Sequence, residues 1–113
     1  MNYRIILDAP FKKEVKRLAK KYPSLKKDLS ALQDELLSNP QAGIVLGGGL
    51  RKVRMAIASK GRGKSHGARV ITFTVVVAIE ESEINLLTIY DKAERESISQ
   101  KEIEALLKEA DLL

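Results

Sequence analysis

Apolar residues recur at helical spacing twice in the first third of the chain. Phe11, Val15, Leu18, Ala19 and Tyr22 share one face, with Lys12, Lys13, Lys16, Arg17, Lys20 and Lys21 around the rest. Asp8 is placed to cap this helix, Pro10 suits its first turn, and Pro23 ends it. Ser24 is placed to cap a second helix. Its Leu25, Leu29, Leu32 and Leu36 form an apolar stripe, and Asn39-Pro40 closes it. The pair predicts an α-hairpin with a short connection. Ahead of it, residues 2–7 (N-Y-R-I-I-L) are short, apolar and β-branched and predict a strand.

After a loop over 41–49 the period changes from helical to alternating. In 50–57, Val53, Met55 and Ile57 face one way and Lys52 and Arg54 the other, which predicts a half-buried strand. Residues 59–67 form a basic loop. Residues 68–79 are rich in Val and Ile on both faces, as in a central strand; 80–83 make a polar turn and 84–90 another strand. Ser99 to Glu102 matches a capping box, and Ile103, Leu106, Leu107 and Ala110 form the apolar face of a last helix. The order β-α-α-β-β-β-α belongs to the α+β class. It implies that the last three strands form an antiparallel meander and that the first strand joins the sheet at an edge. Neither a repeat nor a linker interrupts it, so residues 1–113 form one domain.

Charge adds a feature that patterning does not show. Between Leu36 and Ile79 there is no acidic residue, yet the stretch carries Arg51, Lys52, Arg54, Lys60, Arg62, Lys64 and Arg69. Residues 80–113 reverse the balance, with four Lys/Arg against ten Asp/Glu. A basic body with an acidic end suggests a polyanionic partner. The chain has no cysteine, which excludes disulfides, cysteine zinc sites and thiol nucleophiles and fits a reducing cytoplasm. Arg4 and Asp8 interrupt the apolar N-terminal run, so no signal peptide is expected. Nor does any stretch reach the length of a membrane helix.

Gly61-Arg62-Gly63-Lys64-Ser65 superficially resembles a phosphate loop. The motif requires a glycine where Ala58 stands and a helix after it, whereas a strand follows here. His66 is the only histidine and no acid lies near it in sequence, so metal catalysis and serine–histidine hydrolysis are both poorly supported. Cation chemistry remains. Lys52 and Arg54 share a strand face, Arg69 opens the neighbouring strand, and Tyr90 and Lys92 end the last one. Converging there, they would bind a scissile phosphate and stabilise its developing charge. A metal-free ribonuclease needs little more, because RNA supplies its own 2′-hydroxyl nucleophile. Each residue also has an ordinary reading. Lys52 and Arg54 would form the wet face of a strand, Arg69 would pair with Glu94 or another tail acid, and Tyr90 would pack.

The blocks G-L-R-K-V-R-M at 49–55, G-R-G-K-S-H-G-A-R-V-I at 61–71 and L-L-T-I-Y-D-K-A-E-R-E-S-I-S at 86–99, with the lysine-rich helix from Phe11 to Leu18, resemble the RelE/ParE superfamily of bacterial toxin–antitoxin toxins, in its HigB-like branch. The resemblance covers nearly the whole chain. It implies a small antiparallel sheet under two N-terminal helices, and a ribosome-dependent mRNA endonuclease without cofactor or metal. It also implies the ribosome, mRNA and a cognate antitoxin as partners. By the same resemblance Lys52, Arg54, Arg69 and Lys92 match basic positions of the family site, with Tyr90 as the candidate proton carrier. Arg51, Lys60, Arg62, Lys64 and His66 are the candidate RNA contacts. RelE has a further arginine just after that lysine and a tyrosine near its C-terminus; Ala93 and Ser99 stand there in this chain. Two other readings share the fold: a ParE-like toxin that binds DNA gyrase, and a member that binds RNA or the ribosome without cutting.

Overall fold

The β-rich stretch at Ala68–Ala78 forms the middle strand of a five-stranded sheet in the computed structural model, which describes residues 1–113. In chain order the elements are β1 (Asn2–Leu7), α1 (Ala9–Lys21), α2 (Leu25–Ser38), β2 (Ile44–Gly47) and β3 (Leu50–Met55), followed by β4 (Ala68–Ala78), β5 (Glu81–Asp91) and α3 (Gln100–Glu109). Two single 3₁₀ turns, Ala58–Lys60 and Lys64–His66, shape the basic loop. The strands lie in the order β1-β5-β4-β3-β2. The α+β class, the helix hairpin and the edge position of β1 all match expectation.

Two features correct the sequence reading. The sheet is mixed, because β1 pairs with β5 in parallel, reached by way of the α-hairpin. Part of the 41–49 loop is also a strand: β2 folds back on β3 through Gly47, Gly48 and Gly49. All three glycines have positive φ (99°, 59° and 88°), a turn that side chains other than glycine rarely allow. The capping expectations divide. Ser99 makes the full capping box with Glu102. Asp8 and Ser24 occupy cap positions but make no capping bond; Ser24 Oγ instead meets Asp28 and Ser59.

The sheet has a buried cluster on each face. Phe11, Leu18, Leu25, Leu29, Leu32 and Leu36 of the hairpin pack on Val53, Met55, Val70, Ile84, Leu86 and Ile89. Ile103 and Leu107 of α3 pack on Leu50, Ile71 and Leu87. Each fully buried leucine contributes about 2 kcal/mol of transfer free energy. Leu86 and Ile89 share one cluster although three positions apart. A bulge at Leu87 permits this: Thr72 faces Leu86, while the preceding Ile71 faces Thr88.

β1 covers β5 only as far as Leu86, and β2 covers β3 only as far as Lys52. Both outer strands therefore leave the same end of the sheet open. At that end only β3, β4 and β5 continue, through the cross-strand rows Arg54–Arg69–Tyr90 and Met55–Ala68–Asp91. The β4–β5 hairpin tip lies at the opposite end.

Candidate nucleic-acid interface

The open end of the sheet carries a groove of about 380 Å³ beside β3. Lys52 and Arg54 enter it from β3, Arg69 from β4, Lys92 from just beyond β5 and Lys64 from the basic loop. Glu35, on the last turn of α2, is its single carboxylate. Four of the candidate catalytic residues thus converge, joined by Lys64, a candidate RNA contact. Cross-strand register explains the convergence. Arg54 lies directly opposite Arg69, and Lys52 lies opposite Ile71, two residues along on the same face.

The cations of the groove are held differently. Lys52 and Arg54 make no ion pair or side-chain hydrogen bond, and Arg54 is exposed. Lys64 pairs with Glu35 at 3.3 Å. Lys92 Nζ donates to the carbonyl of Glu96 at 3.1 Å. Arg69 is buried, yet it meets no carboxylate. Its Nη1 donates to the carbonyls of Lys64 and Ala68, both at 3.1 Å, and its Nη2 to that of Ser65 at 3.2 Å. The guanidinium therefore stands beside the groove without a carboxylate partner while fixing the backbone of the loop. The expected pairing with Glu94 does not occur; Glu94 receives Arg17 from α1 at 2.8 Å.

Several sequence expectations fall outside this groove. Tyr90 follows Arg69 in the same cross-strand row, but its ring is buried and its hydroxyl has no partner. Burial pushes the phenol up from its ordinary value, against the opposing pull of Arg69 and Arg95. Tyr90 lines a separate cavity of about 410 Å³ between α1 and α3. Arg51 lies on the opposite strand parity and donates to the carbonyl of Gln41 at 2.9 Å. His66 faces a neighbouring recess with Tyr22, Lys60, Arg62, Lys92 and Ala93, and its Nδ1 lies 3.0 Å from Ser65 Oγ. Arg62 is exposed in that recess.

Lys60 is the main correction. Expected as a phosphate contact, it turns inward: its Nζ lies 2.6 Å from Asp91 Oδ1 and 2.9 Å from the carbonyl of His66, above the ring of Tyr22. Asp91 is wholly buried and also accepts hydrogen bonds from the Tyr22 hydroxyl and the Ala93 backbone N–H. Burial alone would raise its pKa. The bonds from Lys60, Tyr22 and Ala93 outweigh that and hold the carboxylate below its ordinary value. No local pattern marks this network, because its members lie just past the end of α1, in the basic loop and at the end of β5.

The two positions that depart from the RelE pattern have local roles. Ala93 supplies the backbone donor to Asp91, and Ser99 caps α3. A mixed five-stranded sheet, a helix hairpin on one face and a cationic groove at the open end of the central strands are the setting for the family comparison. Over residues 4–113 the chain matches the family model of the RelE toxin of the RelE/RelB toxin–antitoxin system. The chain belongs to the RelE family of toxins, the members of toxin–antitoxin systems whose partner is an antitoxin.

Proposed function

We propose that this chain is the HigB-like kind of RelE toxin: a ribosome-dependent endoribonuclease that cuts mRNA without a metal and acts in the cytoplasm. The observation that carries this reading is the placement of Arg54 directly opposite Arg69. Like charges facing each other across a ladder destabilise a sheet. Here no carboxylate relieves the pair, and Lys52, Lys64 and Lys92 add to it within one groove against Glu35 alone. Such an arrangement is suited to an anion, and a phosphodiester in the groove would supply one.

In this reading Arg54 and Arg69 hold the non-bridging phosphate oxygens and stabilise charge as it develops. Arginine serves that role because it stays protonated. Lys52 and Lys92 flank them. Arg62 and Lys64, on the loop that Arg69 and Lys60 secure, hold neighbouring backbone phosphates. Lys60 is structural in this scheme because Asp91 pairs with it, and Arg51 because it lies on the opposite strand parity, outside the groove.

The test is induced expression followed by primer-extension mapping of translated messages. Cuts within codons are expected. Growth arrest with intact messages would defeat the nuclease reading. A second reading, binding to the ribosome without cleavage, draws on Tyr90, whose hydroxyl is withdrawn from the groove. Co-sedimentation with ribosomes in the absence of any cut would support it.

A further inference from the structure

Transesterification of RNA requires an acceptor for the 2′-hydroxyl proton, and the groove is otherwise made of cations. Arginine hardly deprotonates, which removes Arg54 and Arg69. A lysine ammonium donates hydrogen bonds and has no acceptor lone pair, which sets aside Lys52, Lys64 and Lys92. His66 lies in the adjoining recess, and the Tyr90 hydroxyl is buried beside a different cavity. Glu35 is the one carboxylate lining the groove, and a carboxylate is the side-chain type there that can accept a proton.

Its placement suits that task. The neighbouring Leu36 is buried in the core, and the Glu35 carbonyl receives the N–H of Asn39, so the backbone is held. The side chain is 42% exposed and can meet a bound strand. Lys64 Nζ, 3.3 Å from Oε1, directs the carboxylate toward the basic loop.

We infer that Glu35 is the general base of the reaction, an assignment that rests on the nuclease reading. The 2′-oxygen attacks phosphorus as its proton passes to Glu35, forming the 2′-O–P bond. The P–O5′ bond breaks, and the Lys52 ammonium protonates the departing O5′. The products are a 2′,3′-cyclic phosphate and a 5′-hydroxyl end. Proton exchange with water then restores Glu35 and Lys52.

The experiment is single-turnover cleavage of an mRNA on programmed ribosomes, measured across pH with purified protein. Glu35→Gln is expected to slow cleavage about 10²–10⁴-fold. It should also abolish the rise in rate with pH at the acid end, while co-sedimentation with ribosomes is retained. Glu35→Asp should recover part of the rate and the acid limb. Lys64→Ala breaks the same ion pair but should keep the acid limb, which separates proton transfer from loop anchoring. If Glu35→Gln cleaves at the wild-type rate with the wild-type pH profile, the assignment is wrong and the nuclease reading stands. If the unmodified toxin leaves the message intact, the nuclease reading itself fails and Glu35 falls with it.

Discussion

Lys60 Nζ lies 2.6 Å from Oδ1 of Asp91, a carboxylate with no exposure to solvent. The pair joins the basic loop to the end of β5, and Tyr22 brings the end of α1 to the same point. Without Lys60 the buried carboxylate keeps only Lys21, 3.8 Å away, as a counter-ion. Lys60→Met is therefore expected to destabilise the fold by about 3–5 kcal/mol. Asp91→Asn should cost less, because the amide oxygen still accepts hydrogen bonds. Urea unfolding of both variants measures the difference.

The same carboxylate sets a pH dependence. Its pKa in the folded protein is depressed below the ordinary 3.8. Its stabilisation is thus complete above about pH 5 and is lost as pH falls through 3.8 toward the folded value. Asp91→Asn should flatten that part of the acid-unfolding curve, with the variant losing less stability between pH 5 and 3 than the parent.

Arg54 and Arg69 are expected to separate in their effects. Arg54 is exposed, unpaired and opposite Arg69, so Arg54→Ala should leave the melting temperature unchanged or raise it slightly. In RNA or ribosome binding it should reduce the salt slope by about one. Arg69 also holds the loop carbonyls of Lys64 and Ser65 and that of Ala68 at the start of β4. Arg69→Ala should weaken binding and also lower stability by about 1–3 kcal/mol, as buried acceptors lose their donor. Thermal melts beside binding titrations over a salt series resolve the two.

Tyr90→Phe removes a buried hydroxyl that has no partner. The variant is expected to be as stable as the parent or more stable by up to about 1 kcal/mol. Its cleavage should match that of the parent, because the hydroxyl does not line the groove. Loss of cleavage with unchanged folding would return Tyr90 to the catalytic set.

Gly67 faces a steric limit. A Cβ there would sit 2.0 Å from the carbonyl oxygen of Met55. Gly67 also accepts the N–H of Lys92, so its backbone locates a groove residue. Gly67→Ala should force β3 and β4 apart at the site and cost about 1–3 kcal/mol. Hydrogen exchange over 52–70 should rise with it.

How far the sequence revealed this depended on whether a signal was local. Helix stripes such as Leu25–Leu29–Leu32–Leu36 and the Ser99–Glu102 box are set by neighbours in the chain, and both elements stand where expected. The alternation of Lys52 and Arg54 likewise placed them together on one strand face. The parallel pairing of β1, the β2 strand behind a triple glycine and the bulge at Leu87 depend on contacts distant in sequence. The site divides in the same way. Charge composition marked the groove, but which lysine turns inward was decided by Asp91 and Tyr22, more than twenty positions away from Lys60 on either side. Glu35 gave no signal, because it stands on a helix among residues that otherwise read as a core stripe.

The early ends of β1 and β2 have an electrical consequence. The groove cations gather at the open end of β4 and β5, whereas Glu80, Glu81 and Glu83 lie at the closed hairpin tip. Eleven strand residues at about 3.3 Å each separate the two ends by about 35 Å, several screening lengths in physiological salt. These two sets of charges form a local dipole along the central strands. In the proposed function such a dipole would favour approach of a polyanion from the groove end.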